Sequence, residues 1–573
     1  MNWEIPTPDP HLVQLLSNSL SISPFLAGLL VGRGVATPEE AERFLAPRLA
    51  DFVDPRELPQ VDIAASRIVA AMEAGERIAI YGDYDADGVT SVALVLSFLR
   101  SFGVTAIPTL PHRIDDGYGL GLEQAQRIAA SGATLLITVD CGSASTEAIT
   151  WLNGQKVDVV VTDHHRLDHG IPPALAFVNP MAWELFPETQ VLAGVGVVFL
   201  VLMACHLRLR ASQCFQSKVP ELKQFLDLVA VGTIADVVPM VGLNRALVAT
   251  GLDRMRGGQC RPGILALREV AGQGRGGLDE STVSFHMAPR INAAGRLGRA
   301  DLALRLLMET DIATAHQLAN ALNQRNEERK ALEKAIHDEA EGQLHSMSQP
   351  GERFPAVLAS SRWHQGVVGI VAARIVEKHH RPAILLTVRE GVATGSARSV
   401  PGYNIGEALH DCRDILIRQG GHAMAAGLTI QEARIPELRQ RLAESYERFG
   451  VDLPDQPSLR VDAVIPLAQV DAALLADIRR LAPCGQGNPQ PVLGCRGVTV
   501  AEASVSRDGA HLRLKIEQDG RQLPAMFFRY GGSRPAPGEQ LDIAYQPEIH
   551  TYGGVTELRL NVKDLVRYNE PRV

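Results

Sequence analysis

The sequence predicts an α/β protein of several domains. A mostly parallel sheet wrapped by helices comes first. A second α/β lobe follows, joined by one long helix, and the chain closes with a small β-barrel of OB type. Three observations predict this. Short apolar strand patterns alternate with helical ones between residues 66 and 240. A long helical run then extends from Asp311 to about Met347, apolar at its ends and polar in its middle. From Pro491 onward strand patterns and glycine-containing turns dominate.

At 573 residues the chain is too long for one ordinary core, so three or four domains are expected. A composition of 46% hydrophobic and 21% charged residues is that of a globular protein. The net charge of -9 speaks against a uniformly basic surface, yet a local basic groove can coexist with an acidic total. Seven cysteines (141, 205, 214, 260, 412, 484 and 495) show no C-x-x-C spacing. Neither a disulfide framework nor a zinc ribbon is expected, and a reducing cytoplasm fits. The start, Met1 to Pro6, lacks the basic and apolar regions of a signal peptide. The apolar run Val191–Cys205 is too short to span a bilayer, so it reads as a buried helix and no membrane association is expected.

Residues 1–65 read as a helical lead-in, with Thr37 as an N-cap and Glu40 completing a capping box. In the domain at 66–240, the strand Arg77–Ile80 runs into Tyr81-Gly82-Asp83-Tyr84-Asp85-Ala86-Asp87-Gly88, and a buried helix follows to Phe102. Three carboxylates at alternate positions repel one another unless a cation sits among them. An EF-hand loop counted from Asp83 would need a glutamate at its twelfth position, where Leu94 stands. A solvated acidic turn is the bland alternative. The strand Thr134–Val139 ends in Asp140, and the strand Val157–Thr162 delivers Asp163, His164 and His165. Strand ends of one parallel sheet lie side by side, so these side chains converge into a ligand set suited to Mn²⁺ or Mg²⁺. Imidazole ligation favours Mn²⁺, since Mg²⁺ prefers oxygen. Two such ions would support hydrolysis of a phosphodiester.

Residues 241–348 hold a basic cluster, Arg290, Arg296 and Arg299, and then the long helix. Its apolar positions Ile312, Ala315, Leu318 and Leu322 face one core, and Leu332, Ile336, Ala340 and Leu344 face another. A polar stretch, 323–330, lies between them, so two lobes with a cleft are expected. The second lobe, 349–450, alternates strand and helix again. It places Ser396, Arg398 and the glycine-flanked His422 in turns, where donors can grip phosphates. Prolines at 451–458 mark a linker into the domain at 451–573. There, His511 to Ile516 alternates basic and apolar residues, and Phe527, Phe528 and Tyr530 either pack the core or stack bases.

At these residues the chain resembles the DHH phosphoesterase superfamily and, within it, the RecJ-type single-strand-specific exonucleases. The resemblance rests on Asp83 to Gly88, Val139 to Gly142, Asp163-His164-His165 and Gly232 to Asp236. It continues through Ala193 to Gly196, Pro289 to Arg296, Gly395 to Ser399, Gly420 to Gly427 and Gly485 to Pro489. It implies metal ligation by Asp83, Asp85, Asp87, Asp140, His164 and Asp236, with Asp140 bridging two ions. It further implies catalytic roles for Asp85, Asp140 and His165, the last on the scissile phosphate or as acid or base. Arg113, Arg290, Asn292, Arg296, Ser396, Arg398 and His422 then hold the substrate strand, and the lobe at 349–450 is of DHHA1 type. The activity implied is 5′→3′ hydrolysis of single-stranded DNA to mononucleotides, in recombination and repair. The implied partners are a single-stranded-DNA-binding protein and a helicase, with the chain itself a monomer. A small-molecule or cyclic-dinucleotide phosphodiesterase on the same site is the alternative, and the C-terminal β-domain weighs against it. A nucleic-acid binder without catalysis is a third reading, opposed by the intact ligand set.

Overall fold

The computed structural model describes residues 2–51, 54–167, 170–183, 186–211, 215, 219–272, 277–347, 354–449, 458–507, 509–552 and 555–568. Of the expected linker at 451–458, residues 451–457 lie outside the described residues, as do Cys214, Asp508, Gly553 and Gly554. The chain forms two compact units. One comprises 53–236 and 250–455; the other is assembled from 1–52, 237–249 and 456–573.

The first lobe of the larger unit is built on β1 (Ile78–Gly82), β2 (Ala106–Thr109), β3 (Leu135–Val139), β4 (Asp158–Thr162) and β5 (Ala176–Val178). All pair in parallel, in the order β2-β1-β3-β4-β5. Strands β1 and β3 are entirely buried, as their unbroken apolar runs require when helices cover both faces. The chain leaves β1 towards β2 on one side and later returns to β3 on the other. The switch point, with its crevice beyond the carboxyl ends, therefore lies between β1 and β3.

Helix α1 (Ala86–Ser101) follows β1 directly and packs against α2 (Gly194–Ala211) and α3 (Leu226–Ala235). By length and apolarity α2 meets the requirement for crossing a membrane, but 67% of its apolar window is buried inside this fold. Helix α4 (Ala288–Leu297) is entered through a π-helical turn, Thr282–Met287. Helix α5 (Ile312–Met347) is the long connector; Asp311 caps it, accepting a hydrogen bond from the Thr314 N–H at 2.8 Å.

The middle of α5 departs from expectation. Leu332 is exposed, whereas Glu333 and Asn326, one residue later and six earlier, are buried. The register is shifted because Glu333 is paired. Its carboxylate takes Arg329 at 2.7 Å and Arg374, from the second lobe, at 2.5 Å. Two guanidinium partners offset the cost of burying the carboxylate, so a charge occupies the place that apolar periodicity assigns to leucine.

The second lobe carries β6 (Ala356–Ser360), α6 (Gln365–His379), β7 (Ala383–Arg389), β8 (Val392–Arg398), β9 (Leu416–His422) and β10 (Ala425–Gln431). The sheet order is β9-β10-β8-β7-β6, with only β6–β7 parallel. Ser396, Arg398 and His422 were expected in turns. They lie instead on β8 and at the end of β9, because Gly395, Gly420 and Gly421 sit within paired strands.

In the smaller unit, β11 (Leu493–Val505), β12 (His511–Gln518), β13 (Arg521–Phe528), β14 (Gln540–Tyr552) and β15 (Val555–Arg567) close into a five-stranded barrel. The ring β11-β12-β13-β15-β14 is completed by β14 pairing back onto β11. Leu512, Leu514 and Ile516 point into its core while Arg513 and Lys515 are exposed, the alternation read from sequence. Phe527 packs on that core, and Phe528 is exposed, with Arg559 5.8 Å from its ring centre. Helices Pro10–Leu20, Pro24–Val31 and Pro38–Leu45 join the same unit, the last with the expected Thr37–Glu40 capping box. Arg245 is the pin. It is 1% exposed, lies 4.2 Å from the Phe44 ring, and donates to the carbonyls of Phe44, Leu481, Ala482 and Pro483 at 2.7–2.9 Å. The N-terminal helices and the barrel region, separate segments in sequence, thus share one buried guanidinium. Replacing it with methionine removes a charged donor from all four carbonyls, at a cost of about 3 kcal/mol or more. Calorimetry of Arg245→Met is expected to show a clearly lowered unfolding temperature.

Candidate metal centre and phosphate cluster

The acidic turn after β1 is shaped by its own backbone. Asp85 caps α1, its Oδ1 accepting from the N–H groups of Asp87 (3.0 Å) and Gly88 (3.1 Å). A Cβ on Gly88 would stand 2.5 Å from the Asp83 backbone, so only glycine lets the turn close. Asp87 reaches across to the start of α2. Its two oxygens accept from Gly194 N–H at 2.7 Å and Val195 N–H at 2.9 Å, the end of a helix where anions are favoured. Asp140 follows β3 with a left-handed backbone (φ 59), a conformation aspartate tolerates better than most residues. A Cβ on Gly194 would lie 2.6 Å from Asp140 Oδ1, so this glycine makes room for the carboxylate.

His164, after β4, brings its Nε2 to 3.2 Å from Asp140 Oδ1, 3.6 Å from Asp236 Oδ2 and 4.0 Å from Asp87 Oδ2. Burial lowers its pKa to about 4, so the ring is neutral, and its hydrogen bond goes to the Leu192 backbone. That leaves Nε2 as a lone-pair donor, the orientation that ligating histidines adopt. Asp236 ends α3 as its C-cap. His165 points its Nδ1 at Asp163 Oδ1, 2.8 Å away. Asp163 is wholly buried and accepts three backbone N–H groups, from Ser143, His164 and His165. Although burial would raise its pKa, the hydrogen bond and charge of His165, followed by the bond from Ser143, hold it below the usual carboxylate range. Burial would likewise lower the His165 pKa, but the hydrogen bond and charge of Asp163 outweigh that and raise it to about 9.

The remaining carboxylates are crowded and uncompensated. Burial first, and then mutual repulsion, push Asp83 and Asp140 well above the ordinary value, Asp87 to about 7 and Asp236 to about 9. Asp83 Oδ1, Asp140 Oδ1 and His164 Nε2 are buried with no hydrogen-bond partner. Orphaned donor atoms of this kind fit divalent cations. Three sets bring ligand atoms within 4.8 Å of one another: Asp83, Asp85 and Asp140; Asp87, His164 and Asp236; and Asp140, His164 and His165. Asp140 and His164 each belong to two sets, so the geometry accommodates more than one ion.

Opposite in charge, a guanidinium group gathers from both lobes. Arg113 lies 4.4 Å from the centre of the Tyr84 ring, between two of the acidic residues in sequence. Arg296, at the end of α4, donates to the Gly366 carbonyl of α6 at 3.3 Å. Ser396 and Arg398, two apart on β8, share a face beside Gly369, whose added Cβ would meet them at 3.0 and 3.2 Å. Burial and then the charge of Arg113 lower the pKa of both Arg296 (to about 9, with Arg329 contributing) and Arg398. These cations repel one another, and a bound anion would relieve that repulsion.

Two expected substrate residues are occupied within the chain. Arg290 is 8% exposed and donates to Asn323 Oδ1 at 3.0 Å and to the His286 carbonyl. Asn292 Oδ1 accepts from the Ala86 N–H at 2.8 Å, at the start of α1. His422 is exposed at the end of β9. Gly366 and Gly369 were not singled out from sequence, and Gly194 was noted only within the Ala193–Gly196 motif. Asp163 was expected in the converging ligand set; the structure turns it towards His165 instead, and it belongs to none of the three sets.

The fold and the acidic strand edge define a DHH-type phosphoesterase. Matching family models are the "DHH family, N-terminal domain" at residues 77–233, the "DHHA1 domain" at 354–448 and the "RecJ OB domain" at 461–564. The single-stranded-DNA-specific exonuclease RecJ of Bacillus subtilis is 36% identical over 570 residues, 98% of this chain and 70% of that protein. The crystal structure of RecJ from Thermus thermophilus in complex with Mn²⁺ superposes with a TM-score of 0.85 at 31% identity, covering 99% of this chain and 80% of that one. Its Mg²⁺ complex gives 0.78 at 30% identity, covering 100% and 79%. The chain belongs to the RecJ family of single-stranded-DNA-specific exonucleases.

Two outcomes test the centre. Carboxylates with raised folded pKa values contribute stability at low pH that is lost as pH rises through those values. The chelator-treated protein is therefore expected to melt progressively lower from pH 3.8, the ordinary carboxylate value, to about 9, and added Mn²⁺ should flatten that decline. Gly194→Ala, which crowds Asp140, should fold yet show a smaller rise in melting temperature with Mn²⁺ than the wild type.

Proposed function

We propose that the chain hydrolyses single-stranded DNA to mononucleotides from the 5′ end, using Mn²⁺ or Mg²⁺, two ions at once. One observation carries this reading. A buried set of uncompensated carboxylates and a neutral imidazole occupies the switch point of the sheet, faced by a guanidinium cluster drawn from both lobes of the same unit. Membership of the RecJ family supports the substrate.

Asp83, Asp85, Asp87, Asp140, His164 and Asp236 would hold the ions, with Asp140 shared between them. Bound there, the ions would supply the positive charge that the attacking and leaving oxygens need. The chain's own residues do the rest. Arg113, Arg296, Ser396 and Arg398 bind the phosphates of the strand and set which diester lies over the carboxylates. His165, oriented by Asp163, faces the scissile phosphate. Arg290 and Asn292 act on the strand indirectly, by fixing α4 and the start of α1, and His422 contacts DNA further along. The barrel, closed and lined outside by Arg513 and Lys515, gives a long substrate a second point of attachment. A small-molecule substrate has no use for it.

The same reading places the protein in the cytoplasm. It acts as a monomer in recombination and repair, with a single-stranded-DNA-binding protein and a helicase as partners.

Asp85→Ala, Asp140→Ala and His164→Ala are each expected to lower hydrolysis at least about a hundredfold while the fold persists. A time course on end-labelled oligonucleotides with Mn²⁺, Mg²⁺ or EDTA reads activity, polarity and metal dependence together. Equal cutting of single and annealed strands would reject the single-strand reading, and full turnover by any of the three variants would reject the ligand assignment.

A further inference from the structure

The loop between β2 and the helix Leu122–Ala130 carries a residue that the site described so far does not use. Tyr118 places its hydroxyl 2.8 Å from His165 Nδ1, the same nitrogen that Asp163 Oδ1 approaches at 2.8 Å. The two rings are tilted, with centres 5.0 Å apart. The loop is held on both sides of this contact. Tyr81 donates its hydroxyl to the Gly119 carbonyl at 2.9 Å, and the Leu120 N–H donates to Ser145 Oγ at 3.1 Å. On the other side, Asp116 accepts from the His112 N–H at 2.6 Å and from Gln124 at 2.8 Å. Tyr118 is thus presented to His165 by a braced backbone.

Counting hydrogens assigns the donors. Asp163 accepts three backbone N–H groups, so it is an acceptor at Nδ1 as well, and Nδ1 must carry the hydrogen. A protonated Nδ1 cannot accept from the phenol. The phenol oxygen therefore shares the Nδ1 hydrogen with Asp163, and its own O–H is left to donate elsewhere. Two acceptors at one nitrogen fix the rotation of the ring, and the opposite nitrogen, Nε2, is left for the substrate.

We propose that Tyr118 is a positioning residue for the hydrolytic step, acting through His165 together with Asp163. This rests on the reading of the site as a phosphodiesterase and deepens it. Tyr118 sets the orientation of His165, and it affects turnover rather than the affinity for the strand. A hydrophobic or base-stacking role would need only the ring.

Tyr118→Phe keeps the ring and removes the hydroxyl. The test compares it with the full-length wild type on a single-stranded oligonucleotide and on bis(p-nitrophenyl) phosphate, both with Mn²⁺. The Mn²⁺-induced rise in melting temperature is measured alongside. The expected result is a kcat lower by about tenfold or more on whichever substrate the wild type cleaves. KM should stay within about twofold and the Mn²⁺ effect on melting should be retained, as for a residue that acts only in the transition state. A kcat within about twofold of wild type overturns the proposal. So does a loss confined to KM, which marks a contact with the strand, or a lost Mn²⁺ effect, which marks collapse of the metal centre. A wild type inactive on DNA but active on the small diester overturns the substrate reading alone and still reports on Tyr118.

Discussion

The fold concentrates buried negative charge at one point, and the rest of the larger unit is arranged around that constraint. Asp83, Asp87, Asp140 and Asp236 are pushed towards their protonated forms by burial and by one another. A protein without a cation here would gain by replacing them with apolar residues. Buried side by side, they call for positive charge brought in from outside. Backbone dipoles supply part of it, as where Asp87 takes both N–H groups at the start of α2. The orphaned oxygens of Asp83 and Asp140 leave the remainder to metal.

Opposite charges are kept apart by architecture. Carboxylates come from the ends of β1 and β3 and from α1 and α3. The guanidinium groups come from the loop after β2, from α4 and from β8 in the second lobe. Were they to meet directly, each would neutralise the other and neither ion nor phosphate would be needed. Helix α4 ties the two sets together without merging them: Asn292 holds the start of α1, and Arg296 reaches the Gly366 carbonyl. Helix α5 spans both lobes, and its buried Glu333 grips Arg374 of α6. The position of the guanidinium cluster relative to the acidic set therefore rests on α4 and α5, which contact both lobes.

Much of this was legible in the sequence because strand ends of a parallel sheet are adjacent by construction. Once β1, β3 and β4 are recognised from their apolar runs, Asp83, Asp140 and His164 must converge. The barrel was legible for a similar reason, since the alternation from His511 to Ile516 assigns its two faces. Other features were not. Arg290, expected on the substrate strand, also donates to Asn323 and a backbone carbonyl, contacts that its residue type did not announce. Leu332 fits the apolar spacing of α5, and Glu333 takes the buried place. Pairing partners distant in sequence decide such cases, and periodicity carries no record of them.

By itself the sequence determined the fold class, the edge of the sheet that carries the chemistry and the residue types available there, because these follow from local periodicity and from the rule that parallel strands share an end. Only the tertiary structure decided which of those residues are already bonded within the chain. Gly194 is needed because the Asp140 carboxylate occupies the space beside it, and Asp163 is an orienting group because three backbone N–H groups converge on it. Arg245 joins segments far apart in the chain because four carbonyls happen to meet around it. Hydrogen-bond satisfaction and close packing are properties of the assembled chain, and they settle the roles that residue chemistry leaves open.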